Sequence, residues 1–203
     1  MIVSHAKKLV YLAPPKTGSS SLRSLLRDVP FNGEIVGDHD HHGVVWSSGL
    51  ADYFHFITVR HPYPRMFSLY RMICNGRTLY KADPVTWVDY RWAFQWFPER
   101  DPTFEEFLSR KALPFRKEWR CSWNLEQLGK SVDVTVVKLE NFYEDLRHVK
   151  HVSRHIARVG HVNKRKDIGP GWQETITSAR AEQIQRLWPE DFVRFGYTRE
   201  VDT

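Results

Sequence analysis

LVYLAPPKTGSSSL, residues 9–22, joins a strand to a helix through a short turn. The strand, residues 8–13, is apolar on both faces and stops at Pro14 and Pro15, because proline cannot donate to a sheet ladder. The helix runs from about Ser19 to Asp28 and carries its leucines at helical spacing. A strand that is buried on both faces and leads directly into a helix is typical of a parallel sheet covered by helices.

The same alternation of strands and helices continues along the chain. Further strands are predicted at residues 53–59 and 132–137, and further helices near 64–74, from the capping box at 103–106, and at 178–188. One more helix is predicted from apolar residues three or four apart: Leu146, Val149, Val152, Ile156 and Val159. This order predicts one α/β domain over residues 1–203, with a central, mostly parallel β-sheet flanked by helices.

The composition is that of a folded protein with one core. Of the 203 residues, 41% are hydrophobic and 14% aromatic, with eight Trp, which excludes a disordered chain. The longest apolar run, Leu9 to Ala13, is too short for a membrane-spanning helix or a signal peptide. Two cysteines make no disulfide framework, so we expect a reducing compartment, with one bridge between them left open.

The turn after the first strand has the chemistry of an anion site. Gly18 can adopt a positive φ, which lets the main chain curl. The hydroxyls of Ser19, Ser20 and Ser21 lie beside the N–H groups of the first helical turn, and Lys16 adds a charge just ahead of them. The alternative is an ordinary capped turn with a surface lysine. The nucleotide-binding pattern G-x-x-x-x-G-K-[ST] is absent, because the lysine here precedes the glycine.

A second candidate anion site follows the second strand. In VRHPYPRMFSLYR, residues 59–71, Arg60 leaves the strand and two prolines impose an extended turn before a helix. Arg65 and Ser68 share one face of that helix, so both can converge with Arg60 on one anion. Two sites at two strand ends indicate a ligand with two separated phosphates. The alternative is that these arginines pair with surface carboxylates.

Four segments together resemble the sulfotransferases that use 3′-phosphoadenosine 5′-phosphosulfate (PAPS). They are PKTGSSSL (15–22), VRHPYPRMFSLY (59–70), VVKLENFYEDL (136–146) and WPEDFVRFGYT (188–198), in the order of that family. The resemblance is greatest to the carbohydrate sulfotransferases. It implies a three-layer fold like that of P-loop proteins, with PAPS as sulfuryl donor and adenosine 3′,5′-bisphosphate (PAP) as product. Golgi members carry a membrane anchor and stem; a first strand at residue 8 instead resembles a cytoplasmic member of bacterial or viral type.

The resemblance also assigns residues. It implies that the 5′ end of PAPS is held by six residues: Lys16, Thr17, Gly18, Ser19, Ser20 and Ser21. Arg60 and Ser68 are expected to hold the 3′-phosphate, with Arg65 as a helper or a structural partner. The loop VNKRKDIGPGW, residues 162–172, resembles the family's loop near the cofactor, so Lys164, Arg165 or Lys166 is expected to reach the 3′-phosphate.

Lys16 has a second expected task, in the transfer itself. Placed at the departing phosphate oxygen, its charge stabilises the transition state as it does in phosphoryl transfer. No metal ion is expected to be required, since Lys16 and the helix N–H groups stabilise the negative charge of the leaving group.

The histidine cluster DHDHHG, residues 38–43, supplies candidate bases. An acceptor hydroxyl needs a base for its proton, and histidine is suited to that role. His42 is the first choice, because the apolar GVVW after it resembles the helix that follows the family's histidine; His41 and His39 come next. The alternatives are a zinc or nickel site and a solvated polar loop.

A basic segment spans residues 147–166, with seven Lys or Arg and no acidic residue. On the predicted helix one face holds Arg147, His151, Arg154 and Arg158. This face is expected either to dock an anionic acceptor or to be a solvated surface.

Together these features predict a PAPS-dependent sulfotransferase that acts on a carbohydrate hydroxyl. Two other classes of function explain less of the sequence. A nucleotide kinase or NTPase of the related phosphate-loop fold needs a magnesium ligand and the G-K-[ST] order, neither of which the sequence shows. A nucleic-acid-binding protein would account for the net charge of +6 but leaves the two paired motifs unexplained.

Overall fold

The computed structural model describes residues 1–36, 47–82, 101–109, 119–128, 132–160 and 171–201, with the main chain alone over 75–82. Its strands are β1 Ile2–Ser4, β2 Leu9–Leu12, β3 Glu34–Ile35, β4 Phe54–Val59 and β5 Val134–Lys138. They form one sheet in the order β3-β1-β2-β4-β5. The three longer strands, β2, β4 and β5, are parallel, whereas β1 is antiparallel to both β2 and β3. The predicted α/β fold with a mostly parallel sheet is confirmed.

The helices cover both faces of this sheet. They are α1 Ser19–Arg27, α2 Pro62–Ala82, α3 Phe104–Ser109, α4 Cys121–Glu126, α5 Phe142–Leu146, α6 Trp172–Thr175, α7 Ser178–Leu187 and α8 Pro189–Phe195. Helix α2 begins earlier than predicted, at Pro62, where proline is tolerated because the first helical N–H has no intrahelical partner. The capping box before α3 is confirmed: Thr103 N–H donates to Glu106 Oε2 at 2.7 Å, and Glu106 N–H donates to Thr103 Oγ1 at 3.2 Å.

Strand β2 shows how the sheet is buried on both faces. Leu9 and Tyr11 pack in one cluster with the leucines of α1. Val10 and Leu12 pack in another cluster on the opposite face, as the two-residue period of a strand requires. A third cluster lies among the helices, chiefly α2, α3, α7 and α8. The continuous apolar run of the sequence therefore reflects two buried faces and not a helix.

The predicted helix after β5 is wrong as a single element. Helix α5 ends at Leu146, His151 has a left-handed φ of 68°, and a 3-10 helix covers Val152–Arg158. The apolar residues still point inward, because Leu146, Val149, Val152 and Val159 are all buried in the cluster that covers one face of the sheet. The helix is interrupted between Leu146 and Val152, so the predicted row of basic residues from Arg147 to Arg158 does not lie along one helical face.

No helix in the described part of the chain combines the length and the apolar character that crossing a bilayer requires.

Candidate active site

Residues 13–18, which we name the donor loop after the role predicted for it from the sequence, leave the carboxyl end of β2 and turn into α1. Two of its residues lie in the left-handed region, Lys16 with φ 67° and Gly18 with φ 80°. Gly18 also lies close to the residue just beyond β5, because a Cβ at position 18 would stand 2.6 Å from Leu139 Cδ1 and would make that side chain shift. The loop therefore curls back over the ends of the parallel strands, and the first turn of α1 opens onto that edge of the sheet.

A chain of hydroxyl groups ties the donor loop to the sheet. Thr17 Oγ1 donates to the Pro14 carbonyl at 2.7 Å and lies 2.8 Å from Thr58 Oγ1. Thr58 Oγ1 in turn lies 2.8 Å from the Tyr11 hydroxyl. Each hydroxyl has one hydrogen to give, so Tyr11 donates to Thr58 and Thr58 donates to Thr17. The Thr17 side chain is directed into the sheet, and any contact it makes with a ligand runs through its main chain.

The helix start has the charge and the donors for an anion. Ser19 is buried at the first position of α1, and Lys16, Ser20 and Ser21 are half-buried around it. The first turn of α1 contains no acidic residue. The first N–H groups of a helix lack intrahelical partners and carry the positive end of its dipole. The residues that the sequence assigned to the 5′ end of the donor are therefore brought together at one point.

Arg60 stands at the end of the neighbouring strand β4, half-buried. It lines a cavity of about 350 Å³ together with residues from the start of α2, from the segment just after β5, from α6 and from the C-terminal segment, among them Tyr63, Leu139, Glu140, Trp172 and Glu200. Ser68 lies half-buried in the second turn of α2. The cavity adjoins the donor loop, since Leu139 contacts both.

Glu140, which lines this cavity, is held by two hydrogen bonds. Glu140 Oε1 accepts the main-chain N–H of His61 at 2.8 Å, and Oε2 accepts the Tyr197 hydroxyl at 3.1 Å. Burial, together with the Glu140 carboxylate, raises the pKa of Tyr197, so its hydroxyl stays a donor. Tyr63 N–H donates to His61 Nδ1 at 3.3 Å, so the neutral ring carries its proton on Nε2, which donates to the Thr198 carbonyl at 3.2 Å.

Arg65 does not share a surface with Arg60, contrary to the convergence predicted from the sequence. Its side chain is 0% exposed, and its guanidinium contacts three separate segments. Nε donates to the Pro15 carbonyl at 3.0 Å, Nη1 donates to Asp191 Oδ2 at 3.1 Å, and Nη2 donates to the Trp119 carbonyl. Of the two roles left open for Arg65, these contacts are those of a structural partner.

Asp191 completes this buried arrangement from the start of α8. Besides Arg65, its carboxylate accepts the main-chain N–H groups of Cys121 at 3.0 Å and Ser122 at 2.8 Å. The guanidinium of Arg65 also lies 4.6 Å from the centre of the Trp188 ring. Asp191, Glu140 and Tyr197 were not assigned roles from the sequence, although all three stand in the family-like segments 136–146 and 188–198. The only signal for them was membership of those segments.

Several predicted site residues fall outside the described residues. They are the histidine cluster with its candidate bases His39, His41 and His42, and the basic loop with Lys164, Arg165 and Lys166. Among the residues described, no group of three or more His, Cys, Asp or Glu side chains is arranged to hold a metal ion.

Comparison of the sequence with known proteins identifies a family. A family model described as "Sulfotransferase family" matches residues 1–198. No curated protein and no solved structure matches the sequence. The matched range includes the donor loop, Arg60, Glu140 and Asp191, and leaves out only the last five residues of 203. The chain therefore belongs to the sulfotransferase family.

Proposed function

We propose that the protein transfers a sulfuryl group from PAPS to a hydroxyl group of a carbohydrate. The observation that carries the proposal is the pairing of two anion-type sites on adjacent parallel strands. The donor loop and the start of α1 follow β2, and Arg60 follows β4. A donor with a 5′-phosphosulfate and a 3′-phosphate presents two anionic groups, one for each site.

The residues present fit the donor. Its 5′ end would be held by Lys16, by the first N–H groups of α1 and by the hydroxyls of Ser20 and Ser21, with Gly18 giving the close main-chain approach. Arg60 and Ser68 would hold the 3′-phosphate, with Arg165 as the residue proposed from the basic loop. The donor supplies a sulfuryl group activated by its bond to a phosphate leaving group.

In the proposed transfer, the acceptor oxygen forms a bond to sulfur as the bond from sulfur to the phosphate oxygen breaks. Charge grows on that phosphate oxygen, where the Lys16 ammonium stabilises it. The hydroxyl proton passes to a histidine, for which His42 is proposed first and His41 next. The carbohydrate acceptor rests on the resemblance of the four segments to the carbohydrate sulfotransferases.

Calorimetry with PAP and with 5′-AMP tests the two-site reading of the donor. We expect PAP to bind much more tightly than AMP, because only PAP presents a 3′-phosphate to Arg60. Arg60→Ala removes a charge-assisted contact worth about 1.5–3 kcal/mol, so the Kd for PAP should rise roughly 10- to 100-fold while that for AMP changes little. Arg186→Ala is a matched control, because Arg186 is exposed on α7 and pairs there with the exposed Glu182. Equal affinities for PAP and AMP would contradict the assignment.

Activity with labelled PAPS and an array of glycans, phenols and amines tests the acceptor class. Sulfation of glycans alone supports the carbohydrate proposal, and preferential sulfation of phenols or amines refutes it. In the same assay His42→Ala should lose roughly 10²–10⁴ in rate while PAP binding survives. Loss in His41→Ala but not in His42→Ala would move the base to His41.

A further inference from the structure

The second concentration of positive charge lies far from the donor loop. The turn His5–Lys7 connects β1 to β2 and stands at the amino end of β2, whereas the donor loop leaves its carboxyl end. The four residues of β2 separate these two edges of the sheet by about 13 Å. The segment after α5 reaches the amino edge as well, since the His155 ring contacts Phe31 in the turn that follows α1.

Folding holds this second group of cations together. Val149 and Val152 are buried against the sheet, which turns the residues between and beside them outward. Lys150 and Arg154 are exposed, and His151, with its left-handed φ, stands half-exposed between them. The turn that carries Lys7 lies beside this segment, because the Ser4 hydroxyl donates to the Phe31 carbonyl and the Phe31 ring contacts His155. Partial burial, together with the charges of Lys150, Lys7 and Arg154, lowers the pKa of His151.

Within the described residues, the three cations of this group form no ion pair with a carboxylate. Three neighbouring basic residues do contact carboxylates: Lys8 contacts Asp52, Arg147 contacts Glu144, and His5 contacts Glu34. Lys7, Lys150 and Arg154 make no ion pair there. Like charges that share one surface repel one another, and the repulsion is relieved only by counterions or by an anionic partner.

We propose that this surface docks an anionic polysaccharide chain, through four residues that we name the basic cluster: Lys7, Lys150, His151 and Arg154. None of them lines the cavity at the carboxyl edge, and at physiological salt their field is screened over about 8 Å. The cluster therefore acts on a ligand of its own and not on the reacting atoms. It rests on the proposed function only in taking a glycan as the partner.

The chemistry of the surface favours a glycan over two other polyanions. Single-stranded nucleic acid stacks its bases on aromatic side chains, and a membrane surface takes up apolar ones. Across the described chain the large apolar side chains that stand exposed are Val29, Ile35, Tyr143 and Val193, and none belongs to the basic cluster. A chain of sulfated or carboxylated sugars needs only well-placed cations on an open surface.

The consequence for the reaction is a two-point contact. A glycan bound at the amino edge reaches the donor loop only if it is long enough to pass around the sheet. Long anionic chains should therefore be better acceptors than short ones with the same reacting sugar. Charge reversal in the basic cluster should remove that advantage without changing turnover of the short acceptor.

Binding of a size-defined heparin hexasaccharide, without donor, tests the proposal directly. By counterion release, with a slope of about 0.7–0.9 per contact, we expect log Kd to rise with log salt with a slope of about 2–3. Lys150→Glu combined with Arg154→Glu should raise Kd at least tenfold and reduce that slope. Lys7→Glu alone should act in the same direction from a separate element.

The control variant is Arg186→Glu, which makes a charge reversal at an exposed site on α7. Circular dichroism and PAP calorimetry on each variant separate this test from that of the donor site. If the double variant binds the hexasaccharide like the wild type, or like Arg186→Glu, the basic cluster is not a docking surface. Tighter binding of oligouridine, or of vesicles with anionic lipid, than of heparin would overturn the choice of partner. Failure of PAP to bind would refute the proposed function and leave the heparin result standing.

Discussion

Asp191→Asn is expected to be among the most damaging single-atom changes in this protein. The substitution replaces one carboxylate oxygen by an NH₂ group and leaves the shape of the side chain almost unchanged. The Arg65 charge, 0% exposed beside a carboxylate 3% exposed, then loses the negative charge of its ion-pair partner. The new amide hydrogens also face the N–H groups of Cys121 or Ser122, which donate to the native carboxylate.

The magnitude follows from burial. Breaking a buried ion pair by removing one partner costs about 3–5 kcal/mol, because an uncompensated charge stays in the interior. We take about 4 kcal/mol, which for a chain of this size lowers Tm by about 8–16 °C. Urea unfolding followed by circular dichroism measures the loss. PAP binding should weaken too, because the Nε of Arg65 holds the Pro15 carbonyl at the start of the donor loop.

Two comparisons make the result specific. Glu182→Gln breaks the exposed Arg186–Glu182 pair and should cost no more than about 0.5 kcal/mol. Adding Arg65→Met to Asp191→Asn removes the orphaned charge, so the double variant should recover part of the stability lost by Asp191→Asn alone. A loss of less than about 1 kcal/mol in Asp191→Asn, or no recovery in the double variant, would refute the reasoning.

Three further outcomes are expected. Lys16→Ala should lower turnover at saturating PAPS far more than it weakens PAP binding, because its main contribution is to charge that grows during transfer; wild-type turnover would remove Lys16 from that role. Gly18→Ala should cost about 1–2 kcal/mol of stability for the left-handed φ, measured by thermal unfolding. The added methyl group should also push the donor loop and Leu139 apart and weaken PAP binding. An unchanged Tm together with an unchanged Kd for PAP would contradict the loop geometry. Burial lowers the pKa of His55 below its usual 6.5. Below pH 6.5 the unfolded chain therefore takes up a proton on this residue that the folded chain excludes. The free energy of unfolding should fall on acidification by at most about 1.4 kcal/mol per pH unit. His55→Asn should flatten the stability profile between pH 6.5 and the depressed pKa, and a profile as steep as the wild type's would refute the assignment.

Local patterns in the sequence predicted those parts of the fold that depend on neighbours in the chain. The strand, turn and helix around Gly18 were predictable, because a run that is apolar on both faces and stops at two prolines has few other solutions. The capping box at Thr103 and Glu106 was predictable for the same reason. Strands β1 and β3 were not predicted, since three and two residues are too few to show a period.

Contacts between distant residues were beyond the sequence. Arg65 and Ser68 do lie on one helix, as predicted. The ion-pair partner of the buried Arg65, however, is Asp191, which is 126 positions away. The break at His151 also had no local signal, because the apolar spacing from Leu146 to Val159 is that of a continuous helix. In the folded chain a turn and a 3-10 helix bury the same apolar residues instead.

The hydroxyl chain from Tyr11 through Thr58 to Thr17 joins residues up to 47 positions apart, and this has a consequence for exchange with solvent deuterium. The conformation of the donor loop depends on the paired strands β2 and β4, which contribute two of the three hydroxyls. Its main-chain amides should therefore become accessible together with those of the central strands, in one cooperative opening, and not in the rapid fraying typical of surface turns. A binding loop built in this way is already folded before its ligand binds. A bound ligand should therefore slow deuterium uptake in the central strands as well as in the loop.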